Sequence, residues 1–283
     1  MKVVVVHGGV SGIERGELPS LAHCLAPALK QRSALDAIET AVGALEDDPV
    51  LNAGFGSVLN LDGELELDAG ITDGATGRCA GVANVTVRHP IALARRVLEQ
   101  TPHVLVTGLG AAAFAGEAEV LTDTSPEQRR RWQRAHDAGE LGLASYGEPH
   151  HVDTVGAVAL DDRGRLAAGS STGGVFGKMP GRVGDSPIFG AGMFASAHAA
   201  AVGTGVGEVF LETLACLEAG RLVADGHHPQ RACERVIARL ASRTDVSAGL
   251  LAVDAEGQVG AAFRGGSWAV EGPEGPLRAT RLP

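Results

Sequence analysis

Four short motifs in the second half of the chain carry residue types that together could break an amide bond. The stretch from His151 to Leu160 sets the hydroxyl of Thr154 at the start of an apolar, β-prone run that follows a long polar segment. Cutting the bond before it would make Thr154 a new N-terminus. Ser170-Ser171-Thr172-Gly173-Gly174 supplies a second hydroxyl. Gly181-Arg182-Val183-Gly184-Asp185-Ser186-Pro187 supplies a guanidinium and a carboxylate, and Thr204-Gly205-Val206-Gly207-Glu208 a third hydroxyl in a backbone-rich loop. Each motif alone has an ordinary reading. A threonine on a strand is a β-branched strand former, Arg-Val-Gly-Asp is a surface turn with an ion pair, and Thr-Gly-x-Gly is a loop. Together they amount to a nucleophile, a neighbouring hydroxyl, a clamp for a carboxylate, a clamp for an amine and a pocket for an oxyanion. A threonine hydroxyl is a weak nucleophile until a base takes its proton. A freed α-amine on the same residue, with a reference pKa of about 7.7–8.0, can do that near neutral pH.

The elements that must position these groups are legible in outline. Lys2 to His7 reads as a buried strand running into a glycine turn at Gly8-Gly9-Val10-Ser11-Gly12. Ser33 with Asp36 is a capping-box-like start for a helix carrying Leu35, Ile38, Ala41, Val42 and Leu45 on one face, and Pro49 ends it. Leu59 and Leu61, then Asp62-Gly63, then Leu65 and Leu67 predict a hairpin; Asn52 to Gly56 and Asp68 to Gly74 predict loops. Further strands are expected at 79–87, 104–107, 155–160, 165–171 and 199–202, with helices opening at Pro90 and covering 206–219 and 229–241. On those last two helices Val209, Leu214, Leu217, Val236, Ile237 and Leu240 are the expected inner face. Leu250 to Val253 and Val259 to Phe263 read as a last hairpin, and the tail from Glu271 to Pro283 as loose. From about Leu121 to Val152 the apolar rhythm fails, giving a polar, partly helical connector that ends at Asp153-Thr154. Connectors of this length are usually functional or disordered.

Composition narrows the classes. The formal charge of −10 and 4% aromatic content argue against a nucleic-acid surface, which needs basic patches and stacking platforms. Arg129-Arg130-Arg131 is the one basic cluster, flanked by acids, and reads as a solvated helix face. No run approaches the length of a membrane span and no signal pattern opens the chain, so a cytoplasmic protein is expected. Cys24, Cys79, Cys216 and Cys233 lack metal or disulfide spacing and read as reduced, mostly buried thiols. Gly108-Leu109-Gly110-Ala111-Ala112-Ala113 matches a dinucleotide fingerprint by letters, but the strand-end acid needed about twenty residues on falls in the irregular connector. Tight strand-to-helix packing explains it better.

Taken in order, these motifs resemble the N-terminal threonine hydrolases of the plant-type asparaginase and isoaspartyl peptidase family, within the N-terminal nucleophile hydrolases. The resemblance covers nearly the whole chain. It includes His7-Gly8-Gly9, Asn52-Ala53-Gly54-x-Gly56-Ser57-Val58, Asp73-Gly74, Gly108-x-Gly110-Ala111 and the four later motifs. It implies an α+β fold, a four-layer αββα sandwich; the periodicity alone is equally compatible with a doubly wound sheet. It also implies one hydrolase domain over 1–283, self-cleaved at Asp153–Thr154 into an α subunit (1–153) and a β subunit (154–283). By resemblance Thr154 is the nucleophile, Thr172 orients it, and Thr204 with the Gly205 N–H holds the oxyanion. Arg182 holds the substrate's α-carboxylate and Asp185 its α-ammonium. The substrate expected is asparagine or a β-aspartyl dipeptide, with a dimer of cleaved units and no catalytic metal. A structural sodium ion is expected on backbone carbonyls around Leu51, Asn52, Phe55 and Ser57. Asp153 before the nucleophile is a departure, because most asparaginase and isoaspartyl peptidase members carry Gly there while glycosylasparaginases carry Asp. A glycosylasparaginase-like amidase is therefore a second reading, and an uncleaved amino-acid binding protein of the same fold a third.

Overall fold

A computed structural model of the chain describes residues 1–11, 18–142, 154–242 and 247–283, with the backbone of 151–152. The first half contains β1 (Val3–Ser11), α1 (Ala22–Ala28), α2 (Ala34–Glu46), a 3₁₀ turn at Gly54–Gly56, β2 (Leu67–Asp73), β3 (Arg78–Val85), α3 (Pro90–Gln100), β4 (Leu105–Thr107), α4 (Gly108–Ala115) and α5 (Pro126–Asp137). Then follow β5 (His151–Val152), β6 (Val155–Leu160), β7 (Leu166–Thr172), β8 (Met193–Ala195), β9 (Ala199–Gly205), α6 (Gly207–Thr213), α7 (Ala215–Ala224) and α8 (Pro229–Ala241). The chain closes with β10 (Ala248–Asp254), β11 (Val259–Arg264), β12 (Ser267–Gly272), β13 (Gly275–Pro276) and β14 (Thr280–Arg281).

Why these strands stack in pairs of layers is visible in the first of them. Successive side chains of a strand point to opposite faces, and in β1 Val4 and Val6 join one apolar cluster while Val5 joins another. The uninterrupted valine run thus marks a sheet buried on both faces. Among the described residues the strands make two sheets. The larger has nine strands ordered β13-β12-β1-β6-β7-β2-β3-β4, with β5 also paired to β1; the smaller has five, ordered β14-β11-β10-β9-β8. Neighbours are antiparallel except β3 with β4 and β11 with β14. Three apolar clusters fill the three gaps between four layers. Ile38, Leu45, Ile91 and Val97 of α2 and α3 pack on Val6, Ile71 and Ala157 of the larger sheet. Val5, Val158 and Leu160 meet Val202, Leu251 and Val253 between the sheets. Leu250 and Ala252 meet Cys216, Val236 and Ile237 of α7 and α8. This is the expected αββα sandwich.

Helix α2 begins where its cap permits: Ser33 has extended backbone and its hydroxyl accepts the Asp36 N–H at 3.1 Å. Its buried face lies so close to β7 that a Cβ on Gly169 would stand 2.5 Å from Ile38 Cγ2. Ile38 is fully buried, so Ile38→Ala should destabilise the fold by about 2–5 kcal/mol, read as a lower urea midpoint.

The structure corrects several expectations. The segment from Leu59 to Leu65 is no hairpin. The Asn60 side chain accepts the N–H groups of Asp62 and Glu64, closing a tight turn, and the Leu61 N–H goes to the Lys178 carbonyl instead of a ladder. Asp68 to Gly74, expected as a loop, is mostly β2, whose small residues let Ser186 and Pro187 approach Gly70. Gly8 and Gly9 lie within β1 as a bulge, Gly9 taking φ 94°, while Gly12 lies outside the described residues. The helix expected over 206–219 is two, because Leu214 turns left-handed (φ 50°, ψ 50°) and faces partly outward. The last paired strand on β1 is β12, which carries buried Trp268 and had no alternating signal; Glu271 to Pro283 then adds β13 and β14. Helix α1, with Pro27 inside and no side-chain cap, also escaped the pattern. Within the connector, α5 keeps a solvated face with Arg130 and is anchored on the other: Trp132 Nε1 donates to the Asn60 carbonyl and Arg131 lies over the Phe176 ring at 4.1 Å. The connector residues 143–150 lie outside the described residues.

Cys24, Cys216 and Cys233 are free and buried, and Cys79 is free and half-buried. Among the described residues no helix is long and apolar enough to cross a membrane.

Candidate active site

Strand β1 pairs with β6 as far as His7 opposite Gly156, then with β5 from Val10 opposite Val152. The two-glycine bulge of β1 therefore lies across from the 153/154 junction. Asp153 itself lies outside the described residues. Thr154 heads β6, is 3% exposed, and its Oγ1 donates to Thr172 Oγ1 at 3.2 Å. Thr172 reaches that point because β6 and β7 are antiparallel neighbours with Val155 opposite Ser171. Its hydroxyl also accepts the Gly174 N–H at 3.0 Å, which fixes its direction.

Thr204 and Gly205 end β9 in the facing sheet. Gly205 takes φ +143°, and a Cβ there would meet the Ser247 carbonyl at 2.5 Å, so only glycine fits. The Thr204 hydroxyl is fully buried and accepts the Val10 N–H at 3.3 Å across the bulge.

The two charged groups stand on the 178–187 loop. Arg182 donates through Nε and Nη2 to the two oxygens of Glu208, both at 2.9 Å. Asp185 is 3% exposed, and its Oδ2 has no hydrogen-bond partner among the described residues. Burial pushes its carboxyl up to about 7, against a downward pull from Arg182. A Cβ on Gly207 would lie 2.8 Å from both Arg182 Nη2 and Asp185 Oδ1, so the bare backbone at the start of α6 lets both groups through. Thr154, Thr172, Gly174, Val175, Arg182, Asp185, Gly205 and Gly207 line one narrow cleft. Thr204, the residue before Gly205, is fully buried and outside that lining.

Asp185 makes the cleft pH-sensitive. A carboxyl with a raised folded pKa favours the native state below its unfolded value, near 3.8, and loses that advantage as pH rises through about 7. Binding an ammonium needs the opposite, ionised form. KM for an α-amino acid amide should fall as pH rises from about 5.5 to 8, by up to about tenfold per unit below 7, and Asp185→Asn should abolish that slope. A KM flat over this range in the unsubstituted protein would contradict the assignment.

Residues whose side chains were given no role in the chemistry surround these groups. His7 is fully buried opposite Gly156, with its ring 5.7 Å from that of Trp268, and burial lowers it to about 3. It is therefore neutral near pH 7 and no source of charge beside Thr154. Glu208 was quoted only as the last letter of a motif, although an acid three residues past Gly205 could have been read as the partner of Arg182. Asn52 buttresses the glycines after Thr172: its Nδ2 donates to the Gly174 carbonyl at 2.7 Å, its Oδ1 accepts the Val58 N–H, and its carbonyl accepts the Gly173 N–H. In the same loop the Leu51 carbonyl accepts from Ala53, Phe55 from Ser125, and Ser57 from Thr124, whose hydroxyl also lies near the Phe55 carbonyl. A carbonyl has two lone pairs. One hydroxyl proton serves one acceptor, and the shorter contact gives the Thr124 proton to Ser57, so Leu51, Asn52, Phe55 and Ser57 each have one donor among the described residues.

Two sheets between helical layers, with a buried threonine hydroxyl at the head of a central strand and a cleft over it, define the N-terminal nucleophile hydrolase class. The family model described as asparaginase matches residues 1–271, and the chain belongs to that family. It is 42% identical over 286 residues to the isoaspartyl peptidase of Salmonella typhimurium, covering 92% of this chain and 91% of that protein. It is 41% identical over 284 residues to the plant-type L-asparaginase of Pyrococcus abyssi, covering 92% of each. With the isoaspartyl peptidase/L-asparaginase of Rattus norvegicus it shares 42% identity over 224 residues, 74% of this chain and 67% of that one.

Proposed function

We propose that the chain is a self-processing threonine amidohydrolase that releases L-aspartate from L-asparagine and from β-aspartyl dipeptides. The observation that carries this reading is the single cleft in which the Thr154–Thr172 hydroxyl pair, the Arg182 guanidinium and the partnerless Asp185 oxygen meet. An aspartyl amide has a carbonyl for the first, an α-carboxylate for the second and an α-ammonium for the third.

Maturation and turnover use the same atoms. In the intact chain Thr154 Oγ1 attacks the carbonyl carbon of Asp153, the C–N bond gives way to an ester, and water hydrolyses it. The freed Thr154 α-amine then takes the hydroxyl proton as Oγ1 attacks the substrate's side-chain carbonyl. The Thr204 hydroxyl and the Gly205 N–H receive the developing oxyanion. Ammonia or an amino acid leaves with a proton from the α-amine, and water hydrolyses the β-aspartyl ester.

The glycosylasparaginase reading rests on Asp153 alone, and the likeness to isoaspartyl peptidases and plant-type L-asparaginases favours asparagine and isoaspartyl bonds for this chain too. Measuring aspartate release from L-asparagine, a β-aspartyl dipeptide and glycosylasparagine decides among them; activity on the last alone would overturn the reading. The binding-protein alternative would show ligand binding without cleavage or turnover. Strands from both sides of residue 153 interleave in the larger sheet, so the cleaved halves would stay together as one unit. The assembly expected is a dimer of such units, read by light scattering. Sodium suits the carbonyls of Leu51, Asn52, Phe55 and Ser57, where it would stiffen the loop behind Gly173 and Gly174 and take no part in bond breaking. The free, mostly buried cysteines suit the cytoplasm.

A further inference from the structure

Both charged groups of the cleft stand on one loop, and that loop is held to the edge of β2 by an arrangement outside the chemistry described so far. The Gly184 N–H, which lies between Arg182 and Asp185 in the chain, donates to Asp68 Oδ2 at 3.0 Å. The other oxygen of Asp68 accepts the N–H of Asn84 at 3.0 Å, and Asn84 is held left-handed at φ 54°. Beside this carboxylate the side chain of Lys178 is fully buried, and its Nζ donates to the Glu66 carbonyl at 2.6 Å. Glu66 Oε1 in turn accepts the Gly181 N–H at 2.8 Å, and Asn84 Nδ2 donates to the Gly181 carbonyl at 3.3 Å. The start, middle and end of the 178–184 segment are therefore each tied to β2 or the residue before it.

Burying a lysine ammonium and a carboxylate is costly unless each answers the other. Burial lowers the Lys178 pKa while the charges of Asp68 and Glu66 pull it back up through space. Lys178 Nζ also stands 3.1 Å, and Arg182 Nη1 3.2 Å, from where a Cβ on Gly174 would be. The buried cation thus sits on the flank of the guanidinium, within the field of the Asp68 carboxylate on β2.

We infer that Asp68, Lys178 and Glu66 are positioning residues that set the angle and spacing between Arg182 and Asp185, and so fix the enzyme's selectivity for substrates carrying both an α-carboxylate and an α-ammonium. This rests on the amidohydrolase reading for its substrate. The geometry of the tethers stands without it. Self-cleavage at residue 153 involves Thr154 and the oxyanion groups but no substrate α-carboxylate or α-ammonium, so it serves as an internal control for folding and for the nucleophile.

The test compares Asp68→Asn, Lys178→Met and Glu66→Ala with the unsubstituted protein in three readouts: self-cleavage rate, KM and kcat on L-asparagine, and calorimetric affinity for L-aspartate. In Asp68→Asn and Lys178→Met, KM should rise on the order of tenfold or more, with L-aspartate binding weakened in parallel and kcat changed less. Glu66→Ala, at a half-buried position, should give a smaller shift of the same kind, and self-cleavage should proceed normally. An Asp68 or Lys178 variant that fails to cleave itself has lost its fold, and Glu66→Ala then decides. Unchanged KM and L-aspartate affinity in Glu66→Ala and any cleaving variant would overturn the inference, as would a fall in kcat and cleavage with KM intact. If the unsubstituted protein cleaves but turns over neither substrate, the amidohydrolase reading fails, while L-aspartate affinity still reads the clamp.

Discussion

Thr154→Ala should remain a single chain of 283 residues and release no aspartate from L-asparagine or from a β-aspartyl dipeptide. The expected loss is large because the substitution removes the same oxygen from two reactions. Without Oγ1 there is no acyl shift to open the bond before residue 154, so the α-amine that should act as base never appears. Removing a nucleophile acting as a unit with its base abolishes most of the rate, and losses on the order of 10⁴–10⁶ in kcat are typical. The fold should survive, because Thr154 lies just before β6 and its only described side-chain bond is the 3.2 Å contact to Thr172. Thermal unfolding near that of the parent, with no cleavage on a denaturing gel, checks both halves. Thr154→Ser keeps a hydroxyl and should restore cleavage at a reduced rate.

Thr204→Val should be the next most damaging change, with a different signature. Valine keeps the shape of the side chain and removes the buried hydroxyl of the residue before Gly205, which lines the cleft. In the folded chain that hydroxyl accepts the Val10 N–H at 3.3 Å, and its own proton can still be donated to an oxygen in the cleft. Loss of one oxyanion donor typically lowers kcat by about 10²–10³. Both self-cleavage and turnover pass through an oxyanion near this point, so both should slow together while KM changes little. That parallel separates Thr204 from Arg182 and Asp185, whose substitution should act mainly through KM. Stopped self-cleavage with undiminished turnover, or the reverse, would contradict the shared site.

Much of this site was legible in the letters because its parts are short, contiguous and chemically distinctive. A hydroxyl at the head of an apolar run and the Arg-Val-Gly-Asp loop survive as recognisable strings, and the sandwich brings Thr154, Thr172, Arg182, Asp185 and Gly205 to one cleft. What stayed hidden depends on pairing across the fold. Glu208 becomes the partner of Arg182 only once α6 lies beside the 178–187 loop. Asp68 was read as a loop residue because Ala69 and Gly70 carry little strand signal. Gly70 has no side chain because Ser186 and Pro187 press against the strand there, a constraint no local pattern contains. The false hairpin at Leu59 has the converse cause: alternation predicted a ladder, but the Asn60 side chain took the backbone donors that a ladder needs. Strand β12 was missed because its partner β1 lies more than two hundred and fifty residues away in sequence.

Intact mass of the purified protein after incubation near neutral pH tests the central claim most directly. The account predicts two fragments that together make up the chain, the smaller beginning at Thr154, with activity on L-asparagine appearing as they form. A chain that remains whole yet hydrolyses L-asparagine at an enzymatic rate would contradict it, because the base assigned to the reaction exists only after the bond before Thr154 is broken.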